Sequence, residues 1–554
     1  MERRAIAAAA LAVIVLLAYQ AFFTPAPPPT EPKTEPKKEA AEEKPAAQVV
    51  APQPQARSPR LVGAPRRGER EEAITLETDL VKVVLSNRGG GIRSWQLKQY
   101  QEERGFVDLV GLLPDRSTPT PFAVWVEGGE GRQGLYRVVE RPALDPTTPQ
   151  RVVMEFQEAS GIVLEKTLLL YPGRYLADVE IRVQNVGSVP HQGTLRLEWG
   201  PSLRLGAPDQ QVGSVSIVAR IDGKIITPPL EKSDQETAKS GAVSWTAIQD
   251  RYFTAAFIPA EPGPSSVAGK DAEGRPVVGL LYPTMKIPPG GETRVTLQLF
   301  AGPKEIARLR EAGHDLQKLV DLGWFDFLAR PALYFLRFLH SFTGNYGVAI
   351  IIITILQKVG FYPLAQKSHK SMHAMQALQP KIQAIKERYK NNPQKVNQET
   401  MELYKRHGVN PLGGCLPMVI QIPIFIALYN ALASSVELWR APFALWIDNL
   451  SVADTLFVVP FPIPYIGEAF AVRGLPVIMG ISMFIQQKMS PTGGDPRQAQ
   501  MMLYLMPVMF TFIFWGMPSG LVLYWLVNNV LQIGHQYQMN RGRGLSVGAG
   551  QEAR

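Results

Sequence analysis

The sequence predicts a multi-domain membrane protein: an α-helical bundle of six transmembrane spans, an antiparallel β-domain outside the membrane, and a helical hairpin on the opposite side. Three observations predict this fold. Long apolar runs occur at the N-terminus and in the last third of the 554 residues. Between them lies a region in which apolar and polar residues alternate, and a strongly basic segment interrupts the later apolar runs.

Composition narrows the classes of function. The single cysteine, Cys415, excludes an intrachain disulfide and argues against a cysteine-rich metal site. A net charge of +9 fits a protein that binds nucleic acid, one that binds acidic lipid, or a membrane protein with basic cytoplasmic loops. The position of the charges along the chain must decide between these classes.

The N-terminal region predicts a membrane span followed by a tether. Arg3 and Arg4 precede an apolar run, residues 5–23, that is long enough to cross a bilayer about 30 Å thick. A secretory signal peptide has a similar pattern, but no small-x-small cleavage motif follows, so we expect an uncleaved first span. Residues 24–72 are rich in Pro, Glu and Lys and almost lack large apolar residues, which predicts a disordered tether.

Residues 73–303 change to a period of two. Apolar and polar residues alternate strictly in 177–184, 195–199 and 294–299. Runs of this kind between Gly, Pro and Asn turns are typical of half-buried antiparallel strands. We therefore expect a β-sandwich domain.

Residues 304–343 predict two amphipathic helices that link the β-domain to the later spans. Pro331 is expected to open the second helix, because proline suits the first helical turn. The many aromatic residues of this helix fit a position in the membrane interface. A helix buried in a protein core is the alternative interpretation.

Five further apolar segments complete the predicted bundle, and six spans place both termini on one side of the membrane. The fourth and fifth spans are short for a full crossing, so they need a thinned bilayer or protection by neighbouring helices. The predicted segments are span 2 at 344–364, the cytoplasmic hairpin at 365–411, span 3 at 412–433, a loop at 434–474, span 4 at 475–487, a loop at 488–500, span 5 at 501–515, a turn at 516–520, span 6 at 521–537 and a tail at 538–554.

The distribution of positive charge orients the chain. The 365–411 segment contains nine Lys and Arg residues against three Glu, whereas the 434–474 loop contains only Arg440 and Arg473. By the positive-inside rule the basic segment and both termini are cytoplasmic. The β-domain then lies in the periplasm of a bacterium with two membranes.

The basic segment has an apolar seam at helical spacing. Apolar residues recur every three or four positions from Met375 to Tyr389, and a second set from Val396 to Tyr404 follows an Asn-Asn-Pro turn. We expect an antiparallel hairpin with a basic outer surface. A solvated hairpin without a ligand and a binding surface for ribosomal RNA or a targeting factor both fit this charge.

Lys358 is the most informative residue for function, because it lies in an otherwise apolar span. An ammonium at bilayer depth costs ~2.5–3.5 kcal/mol even on a lenient insertion scale, so it usually faces water, a partner or a cavity. Snorkelling to the cytoplasmic end of the span is the alternative. Thr354 lies one turn away on the same face. Polar residues of the other spans complete a predicted hydrated groove, namely Gln421, Thr511, Asn528, Asn529 and Gln532.

The predicted groove suggests a mechanism. No acidic residue in any span could pair with Lys358, so its charge would attract acidic residues of an arriving substrate. A hydrated groove would also lower the cost of moving a polar segment part-way across the membrane.

Enzymatic and metal chemistry are not expected. His369 and His373 have the i,i+4 spacing of a zinc protease, but Lys370 replaces the required glutamate. The glycine run 89–91 lacks the lysine and helix of a phosphate loop. We expect no cofactor, no bound metal and no catalytic residue.

Several short motifs occur in order between about residues 320 and 540. They are Tyr362-Pro363-Leu364, Leu378-Gln379-Pro380-Lys381-Ile382, Asn410-Pro411-Leu412-Gly413-Gly414-Cys415, Gln421-Ile422-Pro423-Ile424-Phe425, Lys488-Met489-Ser490-Pro491 and Pro518-Ser519-Gly520-Leu521. In these motifs the chain resembles the YidC family of membrane protein insertases.

The resemblance implies an ATP-independent insertase for newly made inner-membrane proteins, acting alone or with the Sec translocon and functional as a monomer. It implies a periplasmic β-super-sandwich like that of sugar mutarotases, for which no sugar chemistry is expected. Its functional arginine falls on Lys358, which keeps the charge but loses the planar bidentate donor. Thr354 matches a substrate-contacting threonine, and Trp525 an aromatic contact in the last span.

Two other functions compete with this interpretation. A transporter or channel would show inverted repeats or paired charges within the membrane, and neither is visible. A periplasmic sensor with a membrane anchor would leave five polar-studded spans unexplained.

Overall fold

The computed structural model describes residues 66–102, 105–113, 120–201, 203–204, 215–228, 236–390, 392–409, 416–459, 470–489 and 496–551. The predicted N-terminal segment 1–4, the span 5–23 and the tether up to residue 65 lie outside these ranges. The chain divides into two compact units, the first ending at Gly302 and the second beginning at Pro303.

The first unit consists of β-strands. In chain order they are β1 Ala73–Glu77, β2 Val81–Ser86, β3 Gly91–Glu102, β4 Gly105–Asp108, β5 Ala123–Val126, β6 Arg137–Glu140, β7 Gln150–Gln157, β8 Ile162–Leu170, β9 Leu176–Asn185, β10 His191–Gly193, β11 Leu195–Trp199, β12 Ser216–Ile221, β13 Lys224–Ile226, β14 Thr237–Lys239, β15 Val243–Gln249, β16 Phe253–Pro259, β17 Ser265–Lys270, β18 Pro276–Leu281, β19 Met285–Ile287 and β20 Glu292–Pro303.

The described strands form three main sheets. A nine-stranded sheet has the order β13-β12-β15-β16-β20-β9-β8-β7-β6, a five-stranded sheet the order β14-β17-β18-β11-β5, and a four-stranded sheet the order β1-β2-β3-β4. Strands pair antiparallel, as in β8 with β9 and β11 with β18. β15 of the largest sheet packs on β17 and β18 of the five-stranded sheet. The expected antiparallel β-domain is therefore confirmed.

The alternation in the sequence explains which face of each strand is buried. In β9 every second residue is buried, from Ala177 through Val179 and Ile181 to Val183. Successive side chains of a strand point to opposite faces of the sheet, so this pattern directs one face to the core. β11 also buries Leu195, Leu197 and Trp199, although Glu198 between the last two is buried as well.

The β-domain begins before the predicted residue 73. The main chain of Arg66 and Gln157 is paired, with Gln157 N donating to Arg66 O at 2.9 Å, and Gly68 N donates to Leu135 O at 2.8 Å. Residues 66–72, expected to belong to the tether, are therefore part of the folded unit. Composition did not reveal this because the stabilising contacts are main-chain hydrogen bonds, which need no apolar side chains.

The second unit is helical. Its α-helices are α1 Ile306–Ala312, α2 Asp326–Thr343, α3 Tyr346–Ala377, α4 Gln379–Arg388, α5 Pro393–Arg406, α6 Leu416–Ser434, α7 Gly474–Met489, α8 Pro496–Phe514 and α9 Ser519–Gln551. Short 3₁₀ turns lie at Leu316–Leu319 and Val436–Leu438, and a short antiparallel pair, β21 Phe457–Val459 and β22 Phe470–Val472, precedes α7.

The helices α2, α3, α6, α7, α8 and α9 share one apolar core. Its buried residues include Leu336 of α2, Ile350 of α3, Leu432 of α6, Met479 of α7 and Phe514 of α8. Leu521 to Tyr524 of α9 complete it. The core fixes the helices against each other and so positions the polar side chains along α3 and α9.

α2 is amphipathic, as predicted, but it begins earlier than predicted. It starts at Asp326, so Pro331 lies inside the helix instead of opening it. Leu333 and Leu336 are buried, whereas Phe338 and Phe342 on the other side are exposed, Phe342 by 73%. One face thus packs against protein and the other carries aromatic residues outward.

Arg337 ties α2 to two other segments. Its guanidinium contacts Glu305, which precedes α1, and Glu437 in the turn that follows α6. Asn430 Nδ2 of α6 adds a hydrogen bond of 2.9 Å to Leu322 O. Arg337 thus attaches α2 to the bundle, and Asn430 attaches the segment that precedes α2.

α3 is longer than the predicted span 344–364. Asn345 caps its N-terminus by accepting hydrogen bonds from the main chain of Gly347 and Val348, and the helix continues to Ala377. Among the described residues it alone is long and apolar enough to cross a membrane by length and composition, and shorter apolar stretches lie at Val419–Ser434 and Gln500–Phe514.

The predicted hairpin at 365–411 is smaller than expected, because α3 occupies its first part. The hairpin consists of α4 packed on α5. Leu378 and Ile382 are buried in the seam, as expected, but Met401 is 49% exposed. Two short helices leave too little interior to bury every apolar residue of the seam.

Candidate functional site

Lys358 lies on α3, half-buried, and points toward α9. Its Nζ donates a hydrogen bond of 2.9 Å to Oε1 of Gln532. The partner is a neutral amide, so the positive charge of Lys358 is hydrogen-bonded without being neutralised. Among the described residues no carboxylate forms an ion pair with it.

A second polar group lies one residue away, where α3, α6 and α9 meet. Gln421 Nε2 donates to the Tyr524 hydroxyl at 2.7 Å, and that hydroxyl donates to Gln357 Oε1 at 3.3 Å. Gln357 Nε2 lies 3.5 Å from Gln421 Oε1, which closes the triad. Asn528, one turn further along α9, also interacts with Tyr524. The triad carries polar side chains of three helices into an otherwise apolar bundle.

Thr354 lies one turn before Lys358, as its spacing predicts, but it is only 1% exposed. Its hydroxyl donates to Ile350 O at 2.6 Å within the same helix. Back-bonding of this kind satisfies a hydroxyl in an apolar environment. Thr354 therefore lies in the interior of the bundle, next to the polar cluster.

Trp525 belongs to an aromatic cluster that joins α6, α8 and α9. The centroid of its ring lies 4.9 Å from that of Phe425, 5.3 Å from Phe514 and 5.8 Å from Phe510. Trp525 shares a face of α9 with Asn528 and Gln532, because they follow at i+3 and i+7. It places an aromatic surface beside the polar residues.

Two residues expected in the groove lie elsewhere in the bundle. Thr511 packs against Gly480 between α7 and α8, and its hydroxyl donates to Pro507 O at 2.8 Å. Asn529 is buried and donates to Ser482 Oγ of α7 at 3.0 Å. Neither residue contacts Lys358 in the described part of the chain. The structure thus brings Lys358 together with Gln532, and Gln421 together with Asn528 through Tyr524.

Sequence reasoning missed Gln357, Tyr524 and His369. Gln357 and Tyr524 gave no signal of their own, because they meet only through tertiary packing. His369 did give one, since it follows Lys358 by eleven residues, about three helical turns, and so lies on the same face of α3. Ending the predicted span at residue 364 hid this spacing.

The arrangement holds a cation and neutral hydrogen-bonding groups. Among the described residues no group of three or more His, Cys, Asp or Glu side chains could hold a metal ion. The side chains around Lys358 are amides, hydroxyls and imidazoles. Such a site can attract an anionic group and hydrogen-bond to a polar chain.

Comparison with known proteins assigns the family. Residues 338–544 match the family model described as 60Kd inner membrane protein, and residues 73–335 match that of the YidC periplasmic domain. The membrane protein insertase YidC of Syntrophus aciditrophicus (strain SB) is 38% identical over 98% of this chain and 100% of that protein. The chain belongs to the YidC family of membrane protein insertases.

Another relative and a solved structure are similar to this chain. The membrane protein insertase YidC of Geotalea daltonii is 36% identical over 98% of this chain and 99% of that protein. A crystal structure titled as an active YidC insertase with its first transmembrane domain resolved is 20% identical, covers 85% of this chain and 94% of its own, and has a TM-score of 0.36.

Family membership makes the chain a membrane protein insertase of the inner membrane and not an enzyme. The antiparallel β-domain is its periplasmic domain, and the helical unit that follows is its membrane domain. Newly made membrane proteins are its substrates. The comparisons therefore confirm the family that the sequence motifs indicated.

Proposed function

We propose that this insertase passes its substrates through a hydrated, positively charged groove formed by α3, α6 and α9. Lys358 supplies the positive charge. Gln421, Asn528 and Gln532 supply polar surroundings, and Trp525 supplies an aromatic contact. Thr354 lies one turn from Lys358 in the interior of the bundle, and Thr511 lies outside the groove, between α7 and α8.

The observation that carries the proposal is the hydrogen bond from Lys358 to a neutral amide. An ammonium in an apolar bundle is costly unless water or a partner solvates it. Gln532 satisfies one of its three N–H donors, which leaves donors for water or for a substrate carboxylate. A carboxylate entering the groove would form a charge-assisted hydrogen bond, which is stronger than one between neutral groups.

The Gln357–Gln421–Tyr524 triad supports the same function. These side chains hydrogen-bond to each other, so they impose no unsatisfied polar groups on the bundle. Each also has capacity for another partner, because amides and hydroxyls can donate and accept. A polar segment could exchange these contacts for its own at small cost.

The proposed topology has six spans, with both termini in the cytoplasm. The five spans within the described residues are formed by α3, α6, α7, α8 and α9, and residues 5–23 form the first. α4 and α5 then lie in the cytoplasm, and β21 and β22 in the periplasm. The exposed aromatic face of α2 lies in the periplasmic membrane interface, in contact with lipids.

Cysteine labelling tests this topology. After Cys415→Ser removes the single cysteine, Phe457→Cys on β21 should react with a membrane-impermeant maleimide added to intact spheroplasts, whereas Lys395→Cys on α5 should react only after permeabilisation. Both positions are exposed in the structure, so accessibility reports the side of the membrane. Labelling of Lys395→Cys in intact spheroplasts would contradict the topology.

The insertase works as a monomer in this proposal, alone or with the Sec translocon. The basic α4–α5 hairpin receives ribosomes or a targeting factor. Basic residues on this hairpin include Lys381, Lys386, Lys395 and Lys405, and all four are exposed. A surface of this charge attracts RNA and acidic proteins at long range.

Substitution of Lys358 tests the role of the charge. With the purified chain in liposomes and a single-span substrate that has an acidic external tail, Lys358→Arg should retain insertion, because the positive charge remains. Lys358→Ala should slow insertion about tenfold, the factor expected when one charged hydrogen bond is lost. Protease protection of the inserted tail measures the rate.

A matched control separates charge from general damage. Lys405→Ala removes a lysine from the exposed surface of α5 and should leave insertion by purified protein unchanged. If Lys358→Ala inserts the acidic substrate as fast as the unaltered chain, Lys358 is a snorkelling residue. If the unaltered chain leaves the substrate outside, insertion without Sec is contradicted.

A further inference from the structure

We infer that His369 and Gln532 are positioning residues that hold the Lys358 ammonium at a fixed point of the groove. The inference deepens the proposed function and rests on it. His369 then acts on Lys358 through the amide of Gln532.

One amide group connects the two ionisable side chains. Oε1 of Gln532 accepts the hydrogen bond from Lys358 at 2.9 Å, and its Nε2 lies 3.1 Å from Nε2 of His369. The amide nitrogen has only donors, so it donates to a neutral imidazole that carries its proton on Nδ1. With the nitrogen engaged by His369, the oxygen must face Lys358.

The imidazole is itself held in place. His369 is 8% exposed, and its ring meets that of His535 edge-on, with centroids 5.2 Å apart. The His535 ring lies 4.9 Å from that of Tyr362, one helical turn from Lys358 on α3. Residues of α3 and α9 thus alternate along a continuous line of contacts.

A lysine needs this support more than an arginine would. Its ammonium is a point charge on a flexible four-carbon stem, whereas guanidinium is a rigid planar fork. Without an oriented acceptor the amide can rotate and present its N–H groups to the ammonium, which repel it. The side chain would then move away from the groove toward the cytoplasmic end of α3.

Three variants of the full-length chain in liposomes test whether His369 and Gln532 hold Lys358 in place. Gln532→Leu removes the acceptor for Lys358, and His369→Leu removes the acceptor for Gln532. His369→Gln keeps an acceptor at the same place and serves as the conservative control. The first readout is the rate at which an amine-reactive reagent acetylates Lys358, measured by mass spectrometry and divided by the rate for the exposed Lys405.

The labelling rate reports the position of the ammonium whether or not the groove functions as proposed. Acetylation of Lys358 should rise about fivefold in Gln532→Leu and His369→Leu, as expected for the loss of one hydrogen bond. It should stay near the original rate in His369→Gln. Unchanged labelling in His369→Leu would overturn the inference.

The second readout compares two substrates that differ only in the acidic residues of their tail. His369→Leu should lower insertion of the acidic substrate several-fold relative to the neutral one, because the cation is no longer held in the groove. An equal loss for both substrates would show a structural role for His369 and overturn the inference. A third outcome is faster acetylation of Lys358 with an unchanged ratio of acidic to neutral substrate inserted. It would support the positioning role of His369 and contradict the proposal that the charge of Lys358 attracts acidic substrates.

Discussion

Replacing Arg204 by methionine is expected to lower the free energy of unfolding of the periplasmic domain by about 3–5 kcal/mol. Arg204 is 2% exposed and forms ion pairs with Asp250, at 3.1 Å, and with Glu102. Its guanidinium also lies over the ring of Phe253, at 5.1 Å. Removing one partner of a buried ion pair leaves the remaining charge without compensation, which costs more than the pair itself contributes.

Asp250 is the more deeply buried of the two carboxylates left behind. Its Oδ1 accepts hydrogen bonds of 2.7 Å from the main chain of Tyr252 and Phe253, so it cannot turn away to solvent. Burial raises the pKa of Asp250, and Arg204 opposes that rise. In the variant the carboxylate must stay charged in an apolar site or take up a proton, and either outcome destabilises the fold.

Hydrogen exchange of the full-length chain measures this loss. Amides of β15 and β16 should exchange at least about 100-fold faster in Arg204→Met, because each ~1.4 kcal/mol corresponds to a factor of ten. Arg294→Met is the matched control, since Arg294 pairs with Glu180 and Glu292 but is 57% exposed. Exposed pairs contribute about 0–1 kcal/mol, so exchange should change less than about tenfold. Equal effects of the two substitutions would contradict the prediction.

The free energy of unfolding of the periplasmic domain is expected to rise by about 3 kcal/mol between about pH 7 and pH 9.5, and Lys166→Met should abolish this rise. Lys166 is 1% exposed on β8. Its Nζ donates to the main-chain oxygens of Gly90 at 2.5 Å, Phe122 at 2.8 Å and Gly89 at 3.3 Å. No carboxylate within the described ranges pairs with it.

The direction follows from the pKa of Lys166 in the two states. Burial lowers the pKa to about 7 in the folded chain, from 10.5 in the unfolded chain. Between these values the unfolded chain binds more protons, so stability increases with pH. Below about pH 7 both states are protonated, and the contribution of Lys166 is constant and at its minimum.

Urea unfolding of the full chain, monitored by pulse proteolysis, gives the urea concentration at the midpoint of unfolding of the β-domain at each pH. Lys224→Met, at an exposed position on β13, is the matched control and should keep the original pH dependence. Burial raises the pKa of Tyr136 and Tyr282, which opposes the effect only at higher pH. A rise that persists in Lys166→Met would contradict the assignment.

Much of the fold could be predicted because its patterns are local. The alternation in β9 identifies a strand whose inner face is Ala177, Val179, Ile181 and Val183, and the structure buries these residues. Lys166 follows the same rule, because it lies between Leu164 and Leu168 on β8, at the alternate positions whose side chains point to the buried face. Its burial could have been predicted from position alone, against the usual preference of lysine for solvent.

The candidate site was only partly predictable. Lys358 was found because a charge in an apolar run is visible in the sequence, and Gln532 because it is polar in another run. Thr511 is also polar in an apolar run, but it packs against Gly480. Helical spacing does not show which neighbouring helix a given face contacts, so this could not be predicted. Arg204 gave no signal, because its partners are 46 and 102 residues away.

The sequence by itself determined most of the strands and helices and the presence of a cation within an apolar segment, and it predicts the orientation by positive charge. These features depend on composition and on periods of two or 3.6 residues, which are readable along the chain. Only the tertiary structure decided that Lys358 meets Gln532, that His369 contacts this amide, and that Gln357, Gln421 and Tyr524 form one triad. These contacts join residues of different helices, and the packing of the apolar core selects which faces meet.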